Sequence, residues 1–323
     1  MKAILHTKYG PPDVLKLSEV EKPVPGDDEV LIKVHAASVN TADCYILKGE
    51  PFLVRIIDGG ILKPKYKIPG SDIAGQVDAI GRNVKQFQLG DEVFGNLSSY
   101  GRGGFAEYVC APENALALKP DNISFDEAAT VPLAAVTALQ GIRDIGKIRS
   151  GQKVLINGAS GGVGTFALQL AKSFGAEVTA VTSTNKLEMA YSIGADHVID
   201  YTQEDFTQSG QLYDLIIAVN GYNSIFDYKR SLSSRGIYVM IGGSLSQMFQ
   251  AMLLGPCISM TGGKNMGTVS LRPNQEDLVF MKELLEAGKV VPVIDRRYML
   301  NEVPDALKYL EEGHALGKVV ITV

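Results

Sequence analysis

Residues 153–172 read KVLINGASGGVGTFALQLAK: an apolar strand, a glycine-rich loop and an apolar-periodic helix in direct succession. Within the loop, Ala159, Gly161 and Gly164 have the spacing A-x-G-x-x-G. In a dinucleotide-binding loop the first small residue permits a tight turn, the second glycine admits a pyrophosphate, and the third lets the helix pack on the sheet. The helix N-terminus adds N–H groups and a dipole that favour anions. The segment therefore predicts a nucleotide site; the alternative is a tight turn without a ligand.

The sequence around this loop alternates between strands and helices. Apolar strands are predicted at 154–156, 177–181, 197–199, 215–218 and 237–241, with helices after the first two. This alternation is typical of a parallel sheet with right-handed crossovers. Upstream, Ser124 and Glu127 form the capping-box pattern of a helix start. We expect an α/β chain with a doubly wound parallel sheet in this region.

The first third of the chain is β-rich instead. Segments such as 29–34, 75–81 and 105–109 lie between Gly, Pro and Asp turns, and helical periodicity is poor before about residue 122. The pattern predicts a small barrel-like β domain. Near the other terminus, it predicts helices over 275–287 and 302–312 and a closing strand over 318–323.

The residues after the second strand of the parallel sheet bear on the choice of nucleotide. An NAD site usually has Asp or Glu there to bind the ribose 2′-OH. Residues 182–186 read TSTNK, without a carboxylate. Ser183 can donate a hydrogen bond to a 2′-phosphate and Lys186 can neutralise part of its charge. The segment favours NADPH; the alternative is a solvated helix start with Lys186 in water.

The composition excludes several other classes of function. The chain has 323 residues, three widely spaced cysteines, four histidines and a net charge of −5. It has no zinc-ribbon or disulfide spacing and no basic footprint for nucleic acid. Its apolar runs are too short to span a membrane, and the first residues do not resemble a signal peptide. We expect a cytoplasmic protein that binds neither nucleic acid nor membrane and holds no transition metal.

Several sequence blocks identify a family. In order and spacing, they resemble the quinone oxidoreductase/zeta-crystallin branch of the zinc-free medium-chain dehydrogenases/reductases. The blocks are AASVN (36–40), PGSDIAG (69–75), LGDEVFG (89–95), GFAEYV (104–109), the nucleotide loop with Gly151, Gln152, Gln169 and Lys172, and GH (313–314) with GKVV (317–320).

This resemblance implies a GroES-like β-rich catalytic domain over 1–122 and 267–323 and a Rossmann domain over 123–266. It also implies an NADPH-dependent enzyme, acting as a homodimer, that transfers hydride to a quinone or an α,β-unsaturated carbonyl. The residues implied to contact the pyrophosphate are Ser160, Gly161, Gly162 and Val163. Those near the adenosine 2′-phosphate are Ser183, Lys186 and Tyr201. Asn40 and Tyr45 match positions near the nicotinamide, and Gly242 and Gly243 fall where the cofactor backbone passes.

The chain departs from the zinc-dependent members of the same superfamily. They carry a cysteine where this chain has Asn40 and a His-Glu pair where it has Ser71 and Asp72. Hydroxyl, amide and one carboxylate would make a poor zinc site, so zinc-polarised alcohol oxidation is disfavoured.

Three functions remain as hypotheses. The first is direct hydride transfer from NADPH to a quinone or enone, with either Tyr45 or a water as hydrogen-bond donor to the acceptor oxygen. The alternatives are that Tyr45 only packs beside the nicotinamide ribose and that Asn40 only orients a loop. The second is a zinc-free alcohol dehydrogenase or ketone reductase, and the third a non-enzymatic NADPH-binding or RNA-binding protein. Residues 51–68 mix apolar and basic side chains, which is typical either of a lid or of an ordinary solvated loop.

Overall fold

A computed structural model describes residues 1–57, 60–261 and 263–323 and divides the chain into two units. The β-rich unit comprises Met1–Leu133, Pro273–Glu286 and Pro292–Val323. The parallel-sheet unit comprises Ala134–Arg272 and Ala287–Val291. The assignment of a catalytic and a cofactor-binding domain with boundaries at 122/123 and 266/267 stays a prediction.

Strands and helices follow one another along both units. The strands are β1 (Lys2–Leu5), β2 (Lys16–Glu19), β3 (Glu29–Val39), β4 (Asp72–Ile80), β5 (Glu92–Asn96), β6 (Tyr108–Pro112), β7 (Leu116–Leu118), β8 (Lys153–Asn157), β9 (Glu177–Thr182), β10 (His197–Asp200), β11 (Tyr213–Ala218), β12 (Leu232–Met240), β13 (Asn265–Thr268), β14 (Ile294–Met299) and β15 (Lys318–Thr322). The α-helices are α1 (Thr41–Lys48), α2 (Leu53–Ile57), α3 (Phe125–Ala129), α4 (Pro132–Leu139), α5 (Gly162–Ser173), α6 (Leu187–Ser192), α7 (Ile225–Ser231), α8 (Leu245–Thr261), α9 (Gln275–Glu286) and α10 (Val303–Glu311).

The main sheet of the β-rich unit joins the two ends of the chain. Its strand order is β14-β15-β3-β4-β5-β7, and β6 pairs with the first half of β3. The C-terminal strand β15 runs antiparallel to β3, with Val319 opposite Val39. One face of β3 packs Val30, Ile32 and Val34 into a fully buried apolar cluster. Burial of alternate side chains fixes the register of the central strand.

The second unit is a six-stranded, all-parallel sheet with the order β10-β9-β8-β11-β12-β13. In chain order this is 3-2-1-4-5-6, the strand order of the Rossmann fold. The order reverses between β8 and β11. Ligands of open α/β sheets bind beyond the carboxyl ends of the strands at such a switch point. The predicted doubly wound parallel sheet and the predicted β-rich unit are both confirmed.

The structure extends and corrects the sequence interpretation of several elements. Strand β12 starts at Leu232 rather than at Ile237, and the short edge strand β13 and the helix α8 had no prediction. Strand β6 covers 108–112, not 105–109, because Ala106 instead bridges to Ala3 of β1. The capping box of Ser124 and Glu127 is present at the start of α3. Within the three described ranges, no helix has both the length and the apolar character that crossing a bilayer requires.

Candidate functional site

The glycine loop connects β8 to α5 at the switch point of the parallel sheet. Gly161 is the N-cap of α5, with φ −82° and ψ 176°. A side chain at Gly164 would meet the Gly158 carbonyl oxygen at 2.1 Å and Ala159 backbone atoms at 2.7 and 2.8 Å. Only glycine therefore allows the start of α5 to lie this close to the loop. A Cβ at Gly161 would meet only the Gly158 oxygen, at 3.9 Å, so Gly161 faces open space.

These two glycines provide the test of whether a dinucleotide fits. The first N–H groups of an α-helix lack intrahelical acceptors, and α5 presents them beside a position with no Cβ. Residues 161–163 are only partly buried, whereas Ser160 and Gly164 are buried. The loop therefore offers an open, anion-favouring helix terminus, and its residues fit the pyrophosphate of a dinucleotide.

Gly242 and Gly243 lie beyond the carboxyl end of β12, at the same edge of the parallel sheet. A Cβ at Gly242 would meet the Val219 carbonyl oxygen at 2.7 Å, and one at Gly243 the Gly221 oxygen at 2.2 Å. Gly243, at φ +143°, bridges to Gly221. The two glycines thus bring the loops after β11 and β12 into close contact beside the switch point.

The residues predicted to bind a 2′-phosphate lie at the carboxyl ends of β9 and β10. Ser183 is half-buried and donates to Asn185 Oδ1 at 2.8 Å. Lys186 is buried, at 8% exposure, and does not extend into water as the alternative interpretation expected. Tyr201 is 62% exposed, and its backbone N–H donates to the Thr182 carbonyl. The structure brings the three residues to neighbouring loops of one unit, and their role at a phosphate stays a prediction.

A carboxylate that the sequence analysis did not weigh also lies in this region. Asp200 accepts from Thr184 Oγ1 at 2.5 Å and from the Thr202 hydroxyl and backbone N–H at 2.7 and 2.9 Å. The hydrogen bond from Thr184, followed by those from Thr202, lowers the pKa of Asp200. Asp200 therefore tethers the loop after β9 to the loop after β10.

In the β-rich unit, polar side chains meet at one end of the main sheet. Ser38, near the end of β3, is opposite Asp72, the first residue of β4. Asp72 is in turn opposite Asn96, the last residue of β5. On the other side of β3, Val319 of β15 is opposite Val39. The register therefore places Lys318 and Asp72 on either side of the point where β3 ends and Asn40 begins the turn into α1.

Asp72 is completely buried and accepts four hydrogen bonds. Its Oδ2 accepts from Ser38 Oγ at 3.1 Å and Asn40 Nδ2 at 2.9 Å. Its Oδ1 accepts from Asn96 Nδ2 at 2.8 Å and the Leu133 backbone N–H at 3.0 Å. Burial raises the pKa of Asp72, while the Lys318 ammonium and these donors act in the opposite direction. The carboxylate is the centre of a buried polar cluster.

Lys318 supplies the positive charge of this cluster and is only 3% exposed. Its Nζ donates to Asn40 Oδ1 at 2.5 Å and to the Val39 carbonyl at 3.3 Å, and lies 3.7 Å from Asp72 Oδ2. Burial lowers the pKa of Lys318, and the Asp72 carboxylate opposes that shift. Asn40 thus bridges the two charges through opposite ends of its amide.

Helix α1 carries the second residue that the resemblance implies near the nicotinamide. Asn40 is its N-cap, and the Asn40 backbone N–H donates to Asp43 Oδ2 at 2.8 Å. Burial raises the pKa of Asp43 to about 6, against the opposing charge of Arg102. Tyr45, on the same helix, is 46% exposed. Asn40 is therefore engaged inside the cluster while Tyr45 presents its ring outward, and the catalytic role of both stays a prediction.

The segment from 51 to 68 follows α1. Asp58 and Gly59 lie outside the described residues; the rest includes the short helix α2. Six large apolar side chains of the segment are more than half exposed: Phe52, Leu53, Ile56, Ile57, Ile61 and Leu62. Arg55 donates to the Gly49 carbonyl and stacks on Tyr9, which fixes α2 against the end of α1. Whether the segment is a lid or an ordinary loop stays a prediction.

The described ranges contain no group of three or more His, Cys, Asp or Glu side chains that could hold a metal ion. At the positions where zinc-dependent relatives carry ligands, Asn40 and Asp72 bind Lys318, and the Ser71 hydroxyl accepts from Arg102 at 2.6 Å. The sequence analysis missed Lys318, Asn96 and Arg102. The only signal for Lys318 was its place in the block GKVV, since a lysine at the start of a strand ordinarily faces solvent.

Two family models match the chain. Residues 26–121 match the alcohol dehydrogenase GroES-like domain, and residues 193–321 match a model described as zinc-binding dehydrogenase. The fold and the glycine loop between β8 and α5 thus define the class of the protein: a two-unit dehydrogenase/reductase with a Rossmann sheet.

Individual relatives are similar over almost the whole chain. A 2-methylene-furan-3-one reductase of Solanum lycopersicum is 39% identical, with coverage of 99% of this chain and 79% of the relative. The chloroplast envelope quinone oxidoreductase homolog of Arabidopsis thaliana is 35% identical, with 99% and 98% coverage. The solved quinone oxidoreductase of Coxiella burnetii superposes with a TM-score of 0.88 at 31% identity, covering 100% of this chain and 99% of that one. The chain belongs to the quinone oxidoreductase branch of the zinc-free medium-chain dehydrogenase/reductase superfamily.

Proposed function

We propose that the protein is a zinc-independent, NADPH-dependent oxidoreductase that transfers hydride directly to a quinone or an α,β-unsaturated carbonyl. The observation that carries this proposal is the open glycine N-cap of α5 at the switch point of a Rossmann sheet. Relatives that match the chain from end to end support the acceptor class. They include a chloroplastic protein of Arabidopsis thaliana named NADPH-dependent alkenal/one oxidoreductase, 36% identical over 99% of this chain and 79% of the relative.

The residues of the parallel-sheet unit would hold the cofactor. We assign the pyrophosphate to Ser160, Gly161, Gly162 and Val163, where N–H groups at the start of α5 neutralise negative charge. Gly242 and Gly243 let the loops after β11 and β12 approach each other at the same sheet edge, and we assign them a place beside the cofactor backbone. When bound, NADPH supplies a hydride from C4 of its nicotinamide.

The preference for NADPH over NADH rests on the loop after β9. The residues between Thr182 and Lys186 include no carboxylate to bind a ribose 2′-OH or repel a 2′-phosphate. Ser183, Lys186 and Tyr201 are the proposed phosphate contacts. The nearby Asp200 accepts from Thr184 and Thr202 and so tethers the two loops that carry these proposed contacts.

In the β-rich unit, the proposed roles of Asn40 and Tyr45 differ. Negative charge develops on the acceptor oxygen when its conjugated carbon receives hydride, so a hydrogen-bond donor there lowers the barrier. The Tyr45 hydroxyl is our proposed donor, since its ring is half-exposed on α1. Asn40 fixes the start of that helix. A Tyr45→Phe variant should lose about 100-fold in kcat, the low end of the range for such a donor. Full turnover of the variant on both acceptor classes would leave a water as the donor.

A homodimer is also proposed. Strand β13 is the outer strand of the parallel sheet and pairs with β12 on one side. The adjacent helix α8 exposes Phe249, Met252, Leu253 and Met260 by 63–87%. An exposed sheet edge beside an apolar face is a common site of self-association. A cytoplasmic location stays a prediction, since several relatives are named chloroplastic or mitochondrial.

The proposed function is tested by steady-state oxidation of NADPH against three acceptor classes: quinones, enones and saturated ketones, with NADH in parallel. We expect turnover of quinones or enones, none of saturated ketones, and a preference for NADPH. Activity on saturated ketones alone would establish the ketone-reductase alternative. Binding of NADPH without turnover of any acceptor would establish a non-enzymatic role.

A further inference from the structure

Lys318 is absent from the proposed catalytic and cofactor residues, yet it supplies the positive charge of the polar cluster of the β-rich unit. The cluster consists of Ser38, Asn40, Asp72, Asn96 and Lys318, all at most 6% exposed. A buried lysine is rare because removing an ammonium from water is costly unless the charge is paired and hydrogen-bonded. The position of Lys318 therefore calls for a role that an apolar residue could not fill.

The hydrogen bonds of Lys318 show what its charge does. Its close contact is not with Asp72, at 3.7 Å, but with Asn40 Oδ1, at 2.5 Å. At the other end of the same amide, Nδ2 donates to Asp72 at 2.9 Å and to the Ser38 carbonyl at 3.4 Å. An ammonium on one side and a carboxylate on the other allow only one orientation of this amide.

The orientation of Asn40 is transmitted to α1. Asn40 is the N-cap of this helix, and its backbone is bound to Asp43 one turn later. Tyr45 follows within the same eight-residue helix. A change in the position of Asn40 therefore alters the start of the helix that carries the proposed hydrogen-bond donor.

We propose that Lys318 is a positioning residue for the reaction: its ammonium is the built-in cation of the cluster and acts on catalysis by holding the Asn40 amide. This inference rests on the proposed function, because Asn40 and Tyr45 matter for turnover only if they adjoin the reacting groups. Lys318 and Asn40 are 278 residues apart in sequence. The pairing of β15 with β3 brings the two side chains into contact. In zinc-dependent relatives, the corresponding places of Asn40 and Asp72 carry metal ligands; here a side-chain cation sits between them.

A double-mutant cycle on kcat tests this route of action. Lys318→Met should lower kcat for quinone or enone at least tenfold in the parent enzyme and less than threefold in an Asn40→Ala background, because the group it acts through is then missing. The Kd for NADPH, measured by fluorescence titration, should change less than twofold, since the proposed cofactor residues lie in the other unit. Equal losses in both backgrounds, or a kcat within twofold of the parent, would overturn the proposal.

Lys119→Met is the matched control for the loss of a buried lysine. Lys119 is 8% exposed in the same unit and binds the Pro120 and Ile123 carbonyls and Glu92. Lys119→Met should have a lower melting temperature than the parent and a kcat within twofold of it. A loss of kcat as large as in Lys318→Met would show that destabilisation alone lowers kcat. If Lys318→Met fails to fold, Asp72→Asn/Lys318→Met replaces it in the same cycle, since this double variant leaves neither a buried carboxylate nor a buried ammonium unpaired.

A crystal structure of Lys318→Met keeps the inference separate from the proposed function. We expect the Asn40 side chain to turn and the first turn of α1 to shift, whether or not the parent enzyme reduces any acceptor tested. An unchanged Asn40 would overturn the positioning role. Absence of turnover in the parent enzyme, with Asn40 displaced in the variant, would refute the proposed function and leave the contact itself established.

Discussion

Two glycines of one loop allow the fold and the binding of cofactor to be perturbed separately. Gly161→Ala adds a methyl group that meets only the Gly158 carbonyl oxygen, at 3.9 Å, and φ −82° with ψ 176° suits alanine. The cost to stability is the poorer N-cap, about 0.5–1 kcal/mol. For a chain of this size that corresponds to roughly 1–4 °C in melting temperature.

Gly164→Ala is the matched comparison, with the same methyl group three residues later. Here the methyl would lie 2.1 Å from the Gly158 oxygen, and its neighbours are backbone atoms that cannot rotate away. Overpacking of this kind costs about 3 kcal/mol or more. We expect a fall in melting temperature of about 6–12 °C or more, or a failure to fold.

The assay is NADPH titration of both variants beside thermal unfolding without ligand. In Gly161→Ala the methyl group occupies the space proposed for the pyrophosphate, so the Kd should rise at least tenfold, about 1.4 kcal/mol, while the fold is retained. A Gly161→Ala protein that binds NADPH as tightly as the parent would refute the assignment of the loop. A Gly164→Ala protein as stable as the parent would refute the packing argument.

Three further predictions follow from other parts of the chain. Ser183→Asp places a carboxylate at the proposed 2′-phosphate contact, so the Kd for NADPH should rise at least tenfold and the Kd for NADH should not. The two cofactors are titrated in parallel, and an equal change in both Kd values would contradict this prediction. Burial raises the pKa of Asp43 to about 6, so the folded state retains a proton that the unfolded chain loses near pH 4. The contribution of Asp43 to the stability of the fold therefore falls as the pH rises from about 4 to above 6. The melting temperature of Asp43→Asn relative to the parent should therefore increase between pH 4 and pH 7, and a constant difference would count against the shift. Phe249→Glu, on the exposed face of α8, should convert the proposed dimer to the 34.7 kDa monomer in light scattering. Phe226→Glu, 56% exposed on α7, should not, and a dimer that survives Phe249→Glu would refute this interface.

The parallel-sheet unit was predictable because its signals are local. Each strand is a short apolar run, and the order strand, glycine loop, helix occurs within twenty residues from Lys153 to Lys172. The structure explains the two glycines differently: Gly164 allows close packing of α5 on the loop, and Gly161 leaves the start of the helix open. Strand β13 and helix α8 escaped prediction because β13 is only four residues long and α8 contains Pro256, which is unusual inside a helix.

The polar cluster was not predictable in the same way. Asn40 and Asp72 drew attention through the comparison with zinc-dependent relatives, but Lys318 reads as an exposed strand start in the sequence. Its burial follows from the register of β15 on β3, which joins the two ends of the chain. Pairing of strands almost 280 residues apart leaves no periodicity that a single sequence could reveal.

The central claim is direct transfer of hydride to an activated acceptor, and isotope transfer tests it most directly. The enzyme would be supplied with NADPH that carries deuterium at the transferring C4 position and with an α,β-unsaturated ketone in ordinary water. The account predicts one deuterium at the β-carbon of the saturated product, as measured by NMR and mass spectrometry, with the α-hydrogen derived from solvent. A product without deuterium at the β-carbon, or deuterium on the carbinol carbon of an allylic alcohol, would contradict it.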